Sequence, residues 1–282
     1  MLTPALQEEV EKHLRQKIVS MAPLSAANTV QIYRVVTDRN NTFVAKIAPH
    51  GMALEAWMLA QLKEKSDLPV PEVYYSNPHI IIMQFISPHH SLSAKGQRHA
   101  AEALAMLHQI HSPLYGLERD TMIGALEQPN KQDENWVDFF AEQRLLHMAE
   151  KALDEGKIDQ DTMRKTERLA GKLGTYITDP QPPSLIHGDV WGGNIITGND
   201  RVAAFIDPAI YYADPEIELA FIRLLNTFDE GFFARYNEIN PIREGFLEER
   251  VYLYCLYPLL VHTRMFGPSY AHKAKKILER FV

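Results

Sequence analysis

Hydrophobic and polar positions alternate over short stretches in the first third of the chain and recur at helical spacing over most of the remainder. Residues 29–36 and 42–48 are rich in Val, Ile, Tyr, Phe and Thr and flank Asp38-Arg39-Asn40-Asn41, which predicts two strands joined by a turn. After Pro49-His50-Gly51, the residues Leu54, Trp57, Met58 and Leu62 fall on one helical face, with Gln61 as its polar exception. Leu68-Pro69-Val70-Pro71 ends that helix, because proline removes an amide donor and restricts the residue before it. Two more strands are expected at 72–75 and 80–86, around Ser76-Asn77-Pro78-His79.

From about residue 94 the period is helical, with segments near 94–110, 134–155, 159–178, 215–226 and 245–280, the last broken around Pro258 and Gly267-Pro268. The pattern therefore predicts an α+β protein of two lobes. A small β-rich lobe with one main helix spans 1–86, a polar linker 87–93 and a larger, mostly helical lobe 94–282. One island of strand pattern lies inside the helical part, Ile195-Ile196-Thr197 and Val202-Ala203-Ala204-Phe205-Ile206 around Gly198-Asn199-Asp200-Arg201. Paired antiparallel, such a hairpin sets Asn194 and Asp207 side by side at its open end.

That juxtaposition is where chemistry enters. A carboxylate and an amide oxygen are hard ligands of the kind Mg²⁺ accepts beside nucleotide phosphates and water. Asp189 stands five residues before Asn194, in His187-Gly188-Asp189-Val190-Trp191-Gly192-Gly193-Asn194. A third group, acidic and near the metal without ligating it, suits phosphoryl transfer, in which a separate carboxylate orients the attacking hydroxyl and accepts its proton. His187 is read as a residue that packs and holds the loop. Lys46, in the otherwise apolar Phe43-Val44-Ala45-Lys46-Ile47, needs a partner. Glu55 on the following helix is the candidate partner, and the pair a candidate for gripping the phosphates of ATP; the alternative is a Lys46 that snorkels from an edge strand beside a solvated Glu55. Gln84-Phe85-Ile86, where the β-rich part gives way to the linker, offers backbone groups to an adenine edge and reads equally well as a plain edge strand.

Composition narrows the partners. The 282 residues carry a formal charge of −7, which gives no general attraction for nucleic acid. The N-terminus has no basic segment followed by an apolar one, so a cytoplasmic protein is expected. The apolar run Val251 to Val261 falls short of the ~20 residues needed to cross a bilayer, and the lone Cys255 within it reads as a core residue.

The residues from His187 to Asn194, with Ile206-Asp207-Pro208-Ala209-Ile210-Tyr211-Tyr212-Ala213-Asp214, resemble the fructosamine kinases, or ketosamine-3-kinases. Tyr115-Gly116-Leu117 to Ile123-Gly124, Gln128-Pro129-Asn130 and Trp136 to Arg144 resemble the same family. The resemblance implies a protein-kinase-like fold related to the aminoglycoside and choline phosphotransferases. It also implies transfer of the ATP γ-phosphate, with Mg²⁺, to the sugar 3-hydroxyl of a ketosamine, either small or protein-bound. By position it makes Asp189 the catalytic base, Asn194 and Asp207 the metal ligands, Lys46 the phosphate-binding lysine with Glu55 its partner, and Trp191 a wall of the sugar site. Two alternatives stay open: a kinase for an aminoglycoside or choline-like acceptor, and a catalytically weak nucleotide-binding homologue. The second is prompted by Leu24-Ser25-Ala26-Ala27-Asn28-Thr29-Val30, which has no glycine where the family has a glycine-containing phosphate loop. Ser25, Asn28 and Thr29 are candidate side-chain donors there. Ala213-Asp214-Pro215-Glu216 and Glu218 also depart from the family's Gly-Asp-Arg-Glu and Asp.

Overall fold

A computed structural model describes residues 4–26, 30–88 and 92–282. The chain divides into two compact units, Met1–Gly96 with Asn194–Pro208, and Gln97–Gly193 with Ala209–Val282. The sequence pattern had grouped the hairpin at 194–208 with the helical lobe; it packs with the first unit, where the Phe205 amide donates to the Pro69 carbonyl at 2.7 Å.

The first unit holds an antiparallel sheet of five strands in the order β1-β2-β3-β5-β4: β1 (Ile18–Ala26), β2 (Gln31–Thr37), β3 (Thr42–Ile47), β4 (Val73–Asn77) and β5 (Ile80–Gln84). Helices α1 (Pro4–Leu14) and α2 (Met52–Lys65) pack on its two faces. Strand periodicity explains why β5 reads as an unbroken apolar run. Ile80 and Ile82 pack in one cluster with Val10 of α1, Val35, Phe43 and Ala45. Ile81 and Met83 pack in a second with Met52, Ala56 and Leu59 of α2. Both faces are covered over Ile80 to Met83, so those four positions are all apolar, and only the exposed last residue, Gln84, is polar. The same alternation puts Phe43 and Ala45 of β3 on the α1 face and Val44 on the α2 face, and Lys46 follows Val44 onto that side.

Neither α1 nor β1 was expected from the pattern. β1 is an edge strand whose register shifts between Ile18 and Ser20 and again between Pro23 and Ser25, which blurs its alternation. Proline is tolerated in an edge strand and at a bulge, and Pro23 lies at one of the register shifts. Leu24 and Ser25 are exposed at the end of this strand; Ala27, Asn28 and Thr29 lie outside the described residues, as do His89 and His90 of the linker.

In the second unit, α3 (Ala94–Leu107, its first turn shared with the first unit) leads to the short hairpin β6 (Thr121–Ile123) and β7 (Leu126–Gln128). α4 (Trp136–Phe139) runs into a π-helix at Phe140–Leu146 and then α5 (His147–Asp154) and α6 (Gln160–Ala170). Strand β8 (Ser184–Ile186) pairs with β11 (Tyr211–Ala213), the intervening hairpin being β9 (Ile195–Gly198) and β10 (Arg201–Phe205). Helices α7 (Glu216–Leu224), α8 (Glu230–Ile239), α9 (Val251–Phe266) and α10 (Pro268–Phe281) follow. The α8 helix was not expected. The expected break at Pro258 is absent: α9 continues through it, whereas Gly267-Pro268 does separate α9 from α10. A proline inside a helix costs about 3 kcal/mol. Leu256, Leu259, Leu260 and Val261 around it are all buried, and each is worth about 1.5–3 kcal/mol, so packing outweighs the lost bond. Cys255 is buried among them, as expected of a core residue. Among the described residues no helix is long and apolar enough to cross a membrane.

Candidate active site

Lys46 is the centre of the first unit's polar cluster. Its ammonium donates to Glu55 Oε2 at 2.7 Å and to Asp207 Oδ1 at 2.8 Å. Lys46 and Glu55 are 6% and 7% exposed, so the bridge is made almost without water, while the Asp207 side chain is about one-third open. Burial alone would lower the Lys46 pKa, but the two carboxylates outweigh it and raise it to about 12. Burial, with the Asp207 charge assisting, pushes Glu55 up to about 7 against the pull of Lys46. The two directions agree, because one ammonium is shared by two carboxylates and the more deeply buried acid carries the excess. Glu55 Oε1 is buried with no hydrogen-bond partner among the described residues.

The hairpin delivers Asp207 to this cluster. Its strands pair Phe205 with Ile195, and the Ile206 amide donates to the Asn194 carbonyl at 3.0 Å, so Asn194 and the residue before Asp207 are directly bonded. Asp207 is held at φ 55°, a left-handed conformation that a short polar side chain tolerates better than most. Among the described residues no group of three or more His, Cys, Asp or Glu side chains is placed to hold a metal ion. One carboxylate with one buried amide fits a Mg²⁺ ion that keeps water and phosphate ligands, and does not fit zinc, which takes nitrogen and sulfur ligands from the protein.

Asp189 belongs to the second unit, on a loop held by its backbone. Gly188 has φ +87°, and a Cβ there would meet the Ala209 carbonyl oxygen at 2.1 Å. No other residue fits. The buried Glu218 accepts from the Gly188 amide at 2.6 Å and from the His187 amide at 3.3 Å. Its Oε2 also accepts from His108 Nε2 at 2.8 Å, and His108 Nδ1 meets the Tyr236 hydroxyl at 2.7 Å. Asn240 donates to that hydroxyl at 3.0 Å. With the ring proton on Nε2, Tyr236 donates to Nδ1 and each of these hydrogen bonds has one donor and one acceptor. His187 is buried and its Nδ1 accepts from the Asp189 amide at 3.3 Å, which is the loop-holding role expected of it. Trp191 is 42% exposed; its indole occupies the space above Gly193, where a Cβ would come within 2.3 Å of the ring. Gln84 is exposed at the end of β5, and Phe85 lies 5.2 Å under the Arg34 guanidinium with Ile86 half-buried beside it.

Glu218 figured in the sequence only as a departure, and His108 and Tyr236 not at all. The signal for His108 was a polar residue continuing the buried stripe Ala100, Ala101, Leu104 and Ala105 of α3. Burial alone would raise the Glu218 pKa, but the His108 hydrogen bond and the backbone donors hold it below its ordinary value. A carboxylate with a lowered native pKa contributes stability that is present above its unfolded pKa and lost as pH falls through the native one. Glu218→Gln is therefore expected to cost about 1–3 kcal/mol near neutral pH and to flatten the acid limb of stability. Thermal unfolding of both proteins between pH 3 and 7 checks this, and parallel curves would refute it.

A sequence model of the fructosamine kinase family matches residues 2–282. This chain belongs to the fructosamine kinase family. It is 32% identical over 269 residues to a probable ketoamine kinase of Enterococcus faecium, covering 92% of this chain and 94% of that one. A probable ketoamine kinase of Escherichia coli K12 is 34% identical over 244 residues, 82% of this chain and 81% of the relative. Among solved structures, a Thermobifida fusca protein assigned as a fructosamine-3-kinase superposes with a TM-score of 0.90 at 26% identity, covering 99% and 98% of the two chains. An aminoglycoside phosphotransferase, solved with ADP and hygromycin B, superposes at 0.67 with 14% identity over 98% of both chains, a likeness of fold alone. The chain is thus a kinase with the α+β kinase-like fold that its hydrophobic pattern and motifs led one to expect.

Proposed function

We propose that this fructosamine kinase family member transfers the γ-phosphate of ATP to the sugar 3-hydroxyl of a ketosamine. The observation that carries the reading is Lys46 clamped between Glu55 and Asp207, a buried cation held in place where the sequence puts a nucleotide-binding strand. Family membership supports the class of acceptor. On this reading residues 1–86 grip the nucleotide, 87–93 connect, and 94–282 carry the acceptor and the base. Lys46 holds the α- and β-phosphates and Glu55 holds Lys46. Backbone groups of Gln84, Phe85 and Ile86 meet the adenine edge. Asn194 and Asp207 hold Mg²⁺, which when bound neutralises charge between the phosphates.

Asp189 accepts a hydrogen bond from the acceptor hydroxyl and takes its proton as the oxygen attacks phosphorus. The new O–P bond forms as the bond from the γ-phosphorus to the bridging oxygen breaks, and ADP leaves with that electron pair. Glu218 fixes the backbone on which Asp189 is carried, so the carboxylate pays little entropy to be aligned. Trp191 offers an exposed indole face to the sugar, with its ring seated on Gly193. A cytoplasmic location accords with the use of ATP.

The test is a coupled ADP-release assay across fructosamine, ribulosamine and erythrulosamine adducts, small and protein-bound, beside an aminoglycoside and choline. Turnover is expected with at least one ketosamine, to require Mg²⁺, and to yield a 3-phosphate by ³¹P NMR. Turnover with the aminoglycoside or choline alone overturns the acceptor class. ATP binding with no acceptor phosphorylated overturns the catalytic reading.

A further inference from the structure

The loop that carries Asp189 is held from a second side by a residue to which the mechanism above gives no part. Gln128, the last residue of β7, is fully buried. Its side-chain nitrogen donates to the Ala209 carbonyl at 3.1 Å and to Thr121 Oγ1 at 2.8 Å, and its oxygen accepts from the Tyr257 hydroxyl at 2.7 Å. The amide can face only one way. A backbone carbonyl can only accept, so the nitrogen must lie against Ala209 and the oxygen against Tyr257, which must then donate. Burial, to which the charge of Asp189 adds, keeps the Tyr257 hydroxyl protonated and so a donor. The Arg144 guanidinium, itself buried and donating to Asn130 Oδ1 at 2.7 Å, lies 5.4 Å over the Tyr257 ring and 3.9 Å over that of Tyr211.

What the amide holds gives the contact its consequence. The Ala209 carbonyl oxygen is the atom that would stand 2.1 Å from a Cβ at Gly188. The Ala209 amide donates to the His187 carbonyl at 2.8 Å. One peptide segment, two residues beyond Asp207 in the chain, is thus gripped by Gln128 on one side and by His187-Gly188 on the other. The Ala209 carbonyl fills the space a side chain at 188 would take, so a rotation of it changes the packing of Gly188, and Asp189 is the next residue.

We infer that Gln128, oriented by Tyr257, is a positioning residue for phosphoryl transfer: it locks the Ala209 carbonyl against Gly188 and thereby sets the direction of the Asp189 carboxylate. The inference rests on the role proposed for Asp189. A residue serving the core alone would affect stability and would lower kcat equally with or without a carboxylate at 189.

The test is a double-mutant cycle on the full-length protein, with kcat and both KM values measured for Tyr257→Phe and Gln128→Glu, each alone and combined with Asp189→Asn. Gln128→Glu turns an acceptor toward the Ala209 carbonyl; Tyr257→Phe removes one hydroxyl and is the milder variant should the first fail to fold. Each single variant is expected to lose about tenfold in kcat with KM values within about twofold, as a misaligned catalytic group does. In the Asp189→Asn background the same changes are expected to alter kcat by less than about twofold. Unchanged kcat in the single variants, or an equal loss in both backgrounds, overturns the inference while leaving Asp189 as base. If Asp189→Asn alone keeps wild-type kcat, the base assignment fails and the inference falls with it.

Discussion

Asparagine in place of Asp189 is expected to lower kcat by about 10²-fold or more, the usual worth of a positioned general base, with KM for ATP within about twofold. The substitution keeps size and one acceptor oxygen, so the incoming hydroxyl can still be oriented; what it removes is the site proposed for the proton. The backbone bonds that shape the loop stay in place. Its geometry comes from the Gly188 and His187 amides on Glu218 and from the Asp189 amide on His187, all backbone donors that the change leaves alone. Steady-state kinetics with a ketosamine acceptor, beside a thermal unfolding curve matching the wild type, is the measurement. An unaltered kcat would remove Asp189 from the role. A loss confined to KM would make it a binding group for the acceptor.

How much of this could be read in the chain depended on whether partners are near in sequence. Lys46 and Glu55 are nine residues apart, on a strand and the helix that covers it, so a charged residue in an apolar strand pointed directly at its partner. The ends of the β9–β10 hairpin were readable for the same reason. Asp207 reaching Lys46 spans 161 residues, and the His108–Glu218 bond spans 110, and no periodicity reports such pairs. The fold shows the same division. β3, α2 and β5 carry regular patterns because each has one or two faces wholly buried. The β1 pattern is disrupted by two register shifts, α1 buries only Val10 fully, and Pro258 signalled a break that the packing of α9 overrides. Gln128 lay within a stretch that marked the family, yet nothing local said why: its three partners come from β6, the segment before β11, and α9.

A larger effect still is expected from Asp207→Asn: with the metal-ligand role proposed for Asp207, reducing the carboxylate to an amide should lower kcat/KM by about 10³-fold, about 4 kcal/mol. Asparagine is the informative choice. Asp207 sits at φ 55°, where alanine would add about 1–2 kcal/mol of backbone strain, while asparagine tolerates that region and still presents an oxygen to Lys46. The fold should hardly notice. Lys46 keeps its buried bond to Glu55, and the partly open Asp207 contact is worth at most about 1 kcal/mol. Removing the second carboxylate also relieves Glu55 of the charge that helps push it up to about 7. The outcome expected is therefore a variant within about 1 kcal/mol of wild-type stability, nearly inactive, and requiring a higher Mg²⁺ concentration for the activity that remains. A Mg²⁺ titration of rate beside thermal unfolding separates the cases: an unchanged Mg²⁺ requirement would take Asp207 out of the metal's ligands, and a collapse in stability would make its bond to Lys46 a structural one.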